Sequence, residues 1–236
     1  MNGVYRIAGL NVLVESLYED VHRLCGEYVV DASSVDFSVA VSLADIEFER
    51  SRSTTDGEFS FGYYETLAVY RKIAEELPYR GKMLFHGSCL AVDGVGYLFT
   101  AKSGAGKSTH AALWRELLGD KVVMINDDKP ILEVADSGVV AYGTPWDGKH
   151  RLSTNTSVLL KSVCIIERAS ENSIVRLDFE SAYPILIQQT YRPLDAGSLS
   201  CTLELVDRMK NSVDFWKLCC NKDISAAELS FNTMKG

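Results

Sequence analysis

The sequence predicts an α/β protein with mixed, strand-rich sheets, a small N-terminal α+β part and a helical C-terminal segment. Two observations indicate this class: short runs of alternating apolar residues recur with few helical crossovers between them, and a glycine-rich loop links one run to an amphipathic helix. The chain of 236 residues suits a large domain that carries a smaller one. We expect residues 1–80 to form a strand-rich part ending in a helix, and residues 81–236 to form the domain with the loop.

Charge and cysteine content disfavour several classes of protein. The net charge of -8, without any basic run, argues against a nucleic-acid partner. No apolar stretch approaches the ~20 residues that cross a bilayer, and the first residues lack the features of a signal peptide. We therefore expect a cytoplasmic protein without a membrane contact. The six cysteines show neither a CxxC pair nor a metal spacing with the four histidines, so we expect buried thiols.

The first 80 residues show a period of two and then a helical period. Alternation predicts strands at residues 10–14, 37–48 and 59–63. The second of these runs slips in phase after Leu43, which indicates a bulge or a turn, and a polar turn over residues 51–57 precedes the third. A helix over residues 67–77 comes last, and Pro78 ends it.

The remainder of the chain is predicted to hold six strands, one helix directly after the glycine loop, and further helices near its end. The strands are expected at residues 83–92, 96–101, 122–125, 129–134, 138–144 and 157–168. The helix after the loop has apolar residues over 111–118 and ends at Gly119. In the last fifty residues, the spacing over residues 199–213 predicts a helix, with Gly197 as breaker and Ser198 as N-cap.

The stretch AKSGAGKST, residues 101–109, matches the P-loop (Walker A) pattern [AG]-x-x-x-x-G-K-[ST]. In such a loop, backbone N–H groups point inward and the following helix adds the positive end of its dipole. Lys107 can reach the outer phosphates, and the Ser108 hydroxyl is placed to ligate Mg²⁺. The alternative is a glycine turn that only caps a helix. The residues expected to hold a nucleoside triphosphate are Ser103, Gly104, Ala105, Gly106, Lys107, Ser108 and Thr109.

A second acidic element follows the loop. The apolar run VVMI leads straight into Asn126, Asp127 and Asp128. Mg²⁺ on a phosphate usually takes a carboxylate at the end of a neighbouring buried strand. One aspartate could hold the metal while the other accepts a proton from an attacking hydroxyl. The stretch NDDKP is also typical of a turn, and a turn can carry active-site residues.

These residues together resemble a known kinase family. His86-Gly87, the stretch GVGYLFTAKSGAGKST and the triplet NDD follow one another as in the catalytic domain of bacterial HPr kinase/phosphorylase. That family has a His-Gly on one strand, a G-x-G turn, a D-S-G-x-G-K-S loop and a paired aspartate. The resemblance covers roughly residues 83–132. It implies a phosphoenolpyruvate carboxykinase-like P-loop core, a nucleotide-binding catalytic domain over residues 81–236, and a homo-oligomer.

The resemblance also implies roles for single residues. Lys107 and Ser108 would handle phosphate and Mg²⁺, and Asp127 would be the general base toward a serine hydroxyl. Asp128 would support the metal or the substrate, and His86 would lie beside the transferred phosphoryl group. The implied catalytic residues are thus Asp127, His86 and Lys107, with Ser108 and Asp128 at the metal.

The chain departs from the family downstream of the acidic pair. The family's glycine-rich signature, with its Mg²⁺-binding glutamate, is absent, and YGTPWDGKHRL stands in its place over residues 142–152. Lys102 replaces an aspartate of the family loop, and the N-terminal part is shorter than the family's regulatory domain. These departures argue against HPr itself as the acceptor.

The replacement stretch carries its own candidates. Lys149 and Arg151 could supply cationic support to the phosphates, and Trp146 could stack on a base or on the substrate. A turn with a packed tryptophan and solvated charges is an equally good interpretation. Glu167, Arg168 and Arg192 are weaker candidates of the same kind.

The sequence predicts an ATP- and Mg²⁺-dependent kinase that phosphorylates a serine hydroxyl of a protein or peptide. Two alternatives stay open: a kinase for a small molecule such as free serine, and a non-catalytic nucleotide-binding regulatory protein. A GTPase is disfavoured because Asn221-Lys222-Asp223 does not complete the N-K-x-D motif, and an ABC ATPase because no LSGGQ-like stretch occurs.

Overall fold

The computed structural model of the protein describes residues 1–53, 59–102 and 104–236. They divide into two compact units, residues 1–76 and residues 77–236. Within the described residues there are twelve β-strands and seven α-helices, so the fold is a mixed α/β fold. No described helix combines the length and the apolar character needed to cross a membrane.

The first unit joins a three-stranded sheet to three helices. Its elements are β1 (Asn2–Ile7), β2 (Leu10–Glu15), α1 (Asp20–Leu24), β3 (Phe37–Ala40), α2 (Leu43–Arg52) and α3 (Phe61–Glu76). β1 and β2 form an antiparallel hairpin, and β3 pairs with β2 in parallel. The hairpin turn is Ala8-Gly9, whose φ angles of +49° and +79° are those that a tight two-residue turn requires. Val12 and Val14, predicted to lie on one face of a strand, are fully buried.

The strand predicted over residues 37–48 is confirmed only over Phe37–Ala40, and the strand predicted over residues 59–63 is wrong. Residues 43–52 are helical because Ser42 and Asp45 form a capping box: the Ser42 hydroxyl accepts a bond from the Asp45 N–H, and the Asp45 carboxylate accepts one from the Ser42 N–H at 2.9 Å. The run over residues 59–63 enters α3 instead of forming a strand, and its aromatic residues Phe59, Phe61 and Tyr63 are exposed rather than buried. Residues 54–58 of the predicted polar turn lie outside the described residues.

The second unit is built on a curled, mixed sheet of nine strands. They are β4 (Lys82–Leu84), β5 (Ser88–Val92), β6 (Val95–Thr100), β7 (Val122–Asn126), β8 (Ile131–Ala135), β9 (Gly138–Tyr142), β10 (Ser157–Arg168), β11 (Ser173–Leu177) and β12 (Asp214–Cys220). The main path runs β4-β8-β9-β10-β6-β5-β7, and β12 joins β10 and β11. β10 is the longest strand: it is antiparallel to β9 at its start and parallel to both β6 and β12 further along.

Two hydrophobic clusters lie on this sheet. The helices are α4 (Lys107–Leu118), α5 (Phe179–Gln189), α6 (Ala196–Arg208) and α7 (Ile224–Met234). α5 and α6 contribute apolar residues to one cluster, and α4 and α7 contribute to the other. Trp114 of α4 is fully buried in the second cluster, where its ring lies 5.0 Å from that of Tyr97 and 5.3 Å from that of Phe231. The amphipathic helix predicted after the loop therefore packs against the second cluster through the apolar residues predicted for it.

The structure corrects three expectations for the second unit and one for the cysteines of the whole chain. The apolar run over residues 83–92 is divided between β4 and β5. The C-terminal segment is not wholly helical, because β12 lies between α6 and α7 and the predicted helix over residues 199–213 ends at Arg208. The N-cap of α6 is Asp195, whose carboxylate accepts from the Ser198 N–H at 2.8 Å, so Ser198 is not the cap. Of the six thiols expected to be buried, four are buried, and Cys201 and Cys219 are half-buried.

A buried histidine makes the stability of the second unit depend on pH. His110 is 2 % exposed, and burial lowers the pKa of its ring to about 4. Its Nε2 lies 3.0 Å from the Ser230 Oγ, which also accepts a bond from the Trp114 indole, while its Nδ1 has no partner among the described residues. A proton on Nδ1 would therefore be buried without an acceptor.

We expect the free energy of unfolding to fall as the pH is lowered from 6.5 toward 4, because the unfolded chain then binds a proton at His110 that the folded chain rejects. The contribution of one such group approaches ~1.4 kcal/mol per pH unit. Urea unfolding at several pH values should give a smaller slope for His110→Gln than for the wild type. Equal slopes would show that His110 does not carry this dependence.

Candidate functional site

The glycine loop joins the end of β6 to the start of α4. β6 ends at Thr100 and the helix begins at Lys107. Gly104 and Gly106 have φ angles of +76° and +119°, which favour glycine over any other residue. The loop closes on itself through a bond of 3.1 Å from the Ala105 N–H to the Lys102 carbonyl. Ser103, predicted to contact phosphate, lies outside the described residues.

Lys107 is a buried cation at the N-terminus of α4. It is 8 % exposed, and among the described residues no carboxylate lies within 4.0 Å of its ammonium group. Burial lowers the pKa of Lys107, although Asp128 and Asp127 act in the opposite direction. An unpaired buried charge is costly, and the positive end of the helix dipole adds to that cost. An anion bound at this loop would reduce both the cost of the unpaired charge and the cost from the helix dipole.

Arg168 holds the loop from the outside. It is the last residue of β10, which runs parallel to β6 with Ile165 opposite Thr100. Its guanidinium group donates to the carbonyl oxygen of Gly104 and, at 3.3 Å, to that of Ala105. Two loop carbonyls are thereby satisfied, so the loop conformation does not depend on a ligand to pair them. Arg168, a weak candidate from the sequence, is therefore a structural partner of the loop.

The acidic pair stands on a turn that Asn126 fixes. The Asn126 side chain is fully buried at the end of β7, and its oxygen accepts from the N–H groups of Asp128 at 2.9 Å and Lys129 at 2.6 Å. Its amide donates to the Thr144 Oγ1 at 3.0 Å. These bonds form an Asx turn that is anchored to the stretch after β9. The acidic pair of the candidate site therefore lies on this turn, so a turn and a site role are both possible for it.

The two aspartates have different surroundings. Asp127 is 6 % exposed; its Oδ1 accepts a bond from the Ser88 hydroxyl, and its Oδ2 accepts none from the described residues. Asp128 is more exposed, and its Oδ1 lies 3.0 Å from the Lys129 ammonium and 3.4 Å from the His86 Nε2. Asp127 therefore keeps a free carboxylate oxygen, whereas Asp128 is already paired with basic groups.

His86 lies between β4 and β5 and is held by α5. Its backbone N–H donates to the Gln189 carbonyl at 2.8 Å, and its Nδ1 lies 2.8 Å from the Gln189 Oε1. Burial, followed by the charges of Lys129 and Lys107, lowers the pKa of His86 to about 4, against the influence of Asp128. His86 is therefore a neutral imidazole at pH 7.

One cavity unites the loop with the acidic turn. It has a volume of about 370 Å³ and is lined by Ser108 and Thr109 of the loop motif, by Asp127, and by residues of α4 and of the loop over residues 148–152. That second loop is tied to the acidic turn, since the Asp127 N–H donates to the Leu152 carbonyl at 3.0 Å. The predicted nucleotide loop and the predicted base thus face the same space.

The stretch in place of the family signature also reaches the acidic turn. A Cβ built on Gly148 would lie 3.0 Å from that of Asp128, so the two chains are in close contact. Trp146 is 9 % exposed, whereas Lys149 and Arg151 are exposed. Arg151 lies 3.8 Å from the buried carboxylate of Asp147, which burial holds at a raised pKa.

The donor set fits a magnesium ion. Mg²⁺ in kinases takes one or two protein ligands and completes its shell with water and phosphate oxygens. The Ser108 hydroxyl opens on the cavity, and the Oδ2 of Asp128 accepts no bond from the described residues, so these two groups could meet this need. Asp128, predicted at the metal, is paired with Lys129. No cluster of three histidine, cysteine or acidic residues suited to a metal is found over residues 1–53, 59–102 and 104–236.

Several partners of the site have no signal in the sequence. Ser88, which bonds to Asp127, is a lone serine in an apolar run, and Gln189, which holds His86, lies 103 residues away in the chain. Lys129 directly follows the acidic pair, and its charge could have been noted as a partner for Asp128. The other weak candidates lie elsewhere: Glu167 pairs with Lys217 at 2.9 Å, and Arg192 is exposed.

Comparison with known proteins gives a distant likeness in fold. No family model matches the chain, and no curated protein matches it. Among solved structures, the Hpr(Ser) kinase/phosphatase from Coxiella burnetii is similar with a TM-score of 0.37 and 10% sequence identity. The match covers 65% of this chain and 99% of that chain. It is a distant relationship in fold.

Replacing Lys107 by a neutral residue should raise thermal stability and weaken anion binding. We expect Lys107→Met to raise the melting temperature of the free protein, because it removes an unpaired ammonium group. The same variant should bind inorganic pyrophosphate at least ~tenfold more weakly, since a charge-assisted bond to phosphate contributes on the order of 1.5–3 kcal/mol.

Thermal unfolding with and without pyrophosphate measures both effects. Lys102→Met is the matched control, because Lys102 is an exposed lysine of the same loop. If the two variants respond alike to pyrophosphate, Lys107 has no special part in holding the anion.

Proposed function

We propose that the protein is an ATP- and Mg²⁺-dependent kinase that transfers a phosphoryl group to a serine hydroxyl of a protein or peptide. The observation that supports it is the Lys107 side chain at the start of α4, which is 8 % exposed and has no carboxylate within 4.0 Å among the described residues, next to a cavity lined by Ser108 and Asp127. A phosphate anion would neutralise the charge of Lys107, and a hydroxyl bound in the neighbouring cavity could donate its proton to Asp127. Phosphoryl transfer to a hydroxyl supplies both.

On the donor side, the chain supplies positive charge and order. Lys107 contacts the outer phosphates and offsets the charge that grows on their oxygens during transfer. The N–H groups at the start of α4 and the dipole of that helix add fixed partial charges. Mg²⁺, when bound, neutralises phosphate charge and orients the transferred group. Ser108 and Asp128 are its proposed ligands, and Asp127 is left for the base.

On the acceptor side, Asp127 takes the proton. The serine oxygen forms a bond to phosphorus while the bond from phosphorus to the leaving oxygen of ADP breaks, and the hydroxyl proton passes to the Asp127 Oδ2. The Ser88 hydroxyl holds the other carboxylate oxygen and so fixes the direction of the free one. Burial of Asp127 at 6 % exposure limits the access of water to the same carboxylate.

His86 and Asp128 complete the surroundings of the transferred group. The charge of Lys107 contributes to the low pKa of His86, which places the ring in the electrostatic field of the loop lysine. Because the ring is neutral at pH 7, it adds no positive charge of its own. We assign it to hydrogen bonding and positioning near the phosphoryl group, with Asp128 and Gln189 on its two nitrogens.

Asp127→Asn tests the base directly. The amide is isosteric and still accepts the Ser88 hydroxyl, so we expect nucleotide affinity to stay within about threefold, while phosphoryl transfer falls by ~10²–10⁴, the range that a general base contributes. Calorimetry with Mg-ATP measures the first, and mass spectrometry of serine peptides and of free serine measures the second.

Asp136→Asn serves as the control, because Asp136 is an exposed aspartate that pairs only with Arg208 in the described structure. Near-normal transfer by Asp127→Asn would remove the base assignment. Phosphorylation of free serine without phosphorylation of peptides would assign the protein to small-molecule kinases instead.

A further inference from the structure

Two basic residues that the catalytic scheme does not use line the same cavity as Ser108 and Asp127. They are Arg115 on α4 and His150 on the loop over residues 148–152. Both are exposed, and neither has a carboxylate within 4.0 Å among the described residues. In contrast, Arg176 and Arg208, elsewhere in the second unit, each pair with an aspartate. Arg115 and His150 are thus open to a ligand in the cavity.

The shape of the cavity suits a peptide segment. Thr109, Ala112 and Arg115 follow one another at intervals of three residues, so they lie along one face of α4. The small side chain of Ala112 leaves room between the other two, and Leu152 gives an apolar wall opposite the helix residues. A chain entering along this face would pass from Arg115 toward Thr109 and the loop motif.

The charge around the cavity is opposite to that of the whole protein. The chain carries a net charge of -8, yet the exposed Lys149 adds a further basic group beside His150, while Arg151 on the other side lies 3.8 Å from the Asp147 carboxylate. A local basic surface attracts acidic ligands at short range, against the net negative charge of the protein. The complementary ligand is therefore acidic.

The acceptor fits this cavity better than the donor. Asp127 faces the cavity with a free carboxylate oxygen, which would repel the phosphates of a nucleotide but accepts a bond from a hydroxyl. Lys107, the residue suited to phosphate, is not among the groups lining it. The space beyond Asp127 is thus on the hydroxyl side of the reaction.

We propose that this cavity binds the acceptor segment and that Arg115, together with His150, selects a serine flanked by acidic residues. The inference rests on the proposed kinase function and names its substrate class. Carboxylates one to three residues from the serine would pair with Arg115 and His150 while the hydroxyl reaches Asp127.

Binding can be measured without any chemistry. Fluorescent peptides in which alanine replaces the serine, flanked by aspartate, by glutamine or by lysine, would be titrated with the full-length protein. We expect the aspartate peptide to bind about three- to tenfold more tightly than the glutamine peptide at low salt, with the difference shrinking at high salt. Arg115→Gln should bring this ratio close to one, and the control Lys121→Gln, an exposed lysine just beyond the same helix, should preserve it.

Transfer to the corresponding serine peptides under Mg-ATP then separates the two proposals. If the aspartate peptide binds through Arg115 but no peptide is phosphorylated, the kinase function fails and the acidic docking site stands. If peptides are phosphorylated without regard to their flanks, the kinase function stands and the docking proposal is wrong. A loss of Mg-ADP affinity in Arg115→Gln equal to its loss of peptide affinity would also overturn it, because Arg115 would then serve the nucleotide.

Discussion

A lysine at the positive end of a helix, 8 % exposed and with no carboxylate within 4.0 Å among the described residues, is the constraint around which the site is organised. Such a group destabilises the fold, through its desolvation and through the helix dipole. Burial indeed lowers the pKa of Lys107. A sequence selected only for stability would place a neutral residue there, and the position is best understood as one prepared for an anionic ligand.

The sheet of the second unit brings the other groups to this lysine. β6 leads into the loop, β10 beside it supplies Arg168 to hold the loop carbonyls, and β5 on its other side supplies Ser88 to hold Asp127. β5 also pairs with β7, with Cys89 opposite Asn126, and so the acidic turn is held at the end of the same set of strands. Four neighbouring strands thus determine the relation between the loop and the base.

What could be predicted from the sequence is what short segments determine. The loop, the following helix with its end at Gly119, and the acidic turn after β7 depend on glycine conformations, caps and turn chemistry within a few residues, and all are found where expected. The wrong predictions arise where one local pattern hides another. Alternating residues over 37–48 outweighed the capping box of Ser42 and Asp45, which was equally visible in the sequence. The strand β12 lies in the C-terminal segment that was expected to be helical, just beyond a helical spacing over residues 199–213 that in the structure stops at Arg208.

The contacts that tune the site could not be predicted, because they join distant segments. Gln189 reaches His86, and Arg168 reaches Gly104, only after the sheet and α5 have formed. The different surroundings of Asp127 and Asp128 likewise depend on Ser88 and His86, which no spacing rule connects to the acidic pair. Because of these contacts, Asp127 keeps one carboxylate oxygen without a partner among the described residues, whereas Asp128 is paired. The sequence alone does not predict this difference.

The central claim is that the loop and Lys107 hold the phosphate tail of a nucleotide. Amide chemical shifts recorded by NMR during titration with a non-hydrolysable Mg-ATP analogue test it at the residues concerned. The account predicts that the largest, saturable changes occur at the N–H groups of Gly104, Gly106, Lys107 and Ser108. Saturable binding with no change at these amides, or no binding at millimolar analogue, would contradict it.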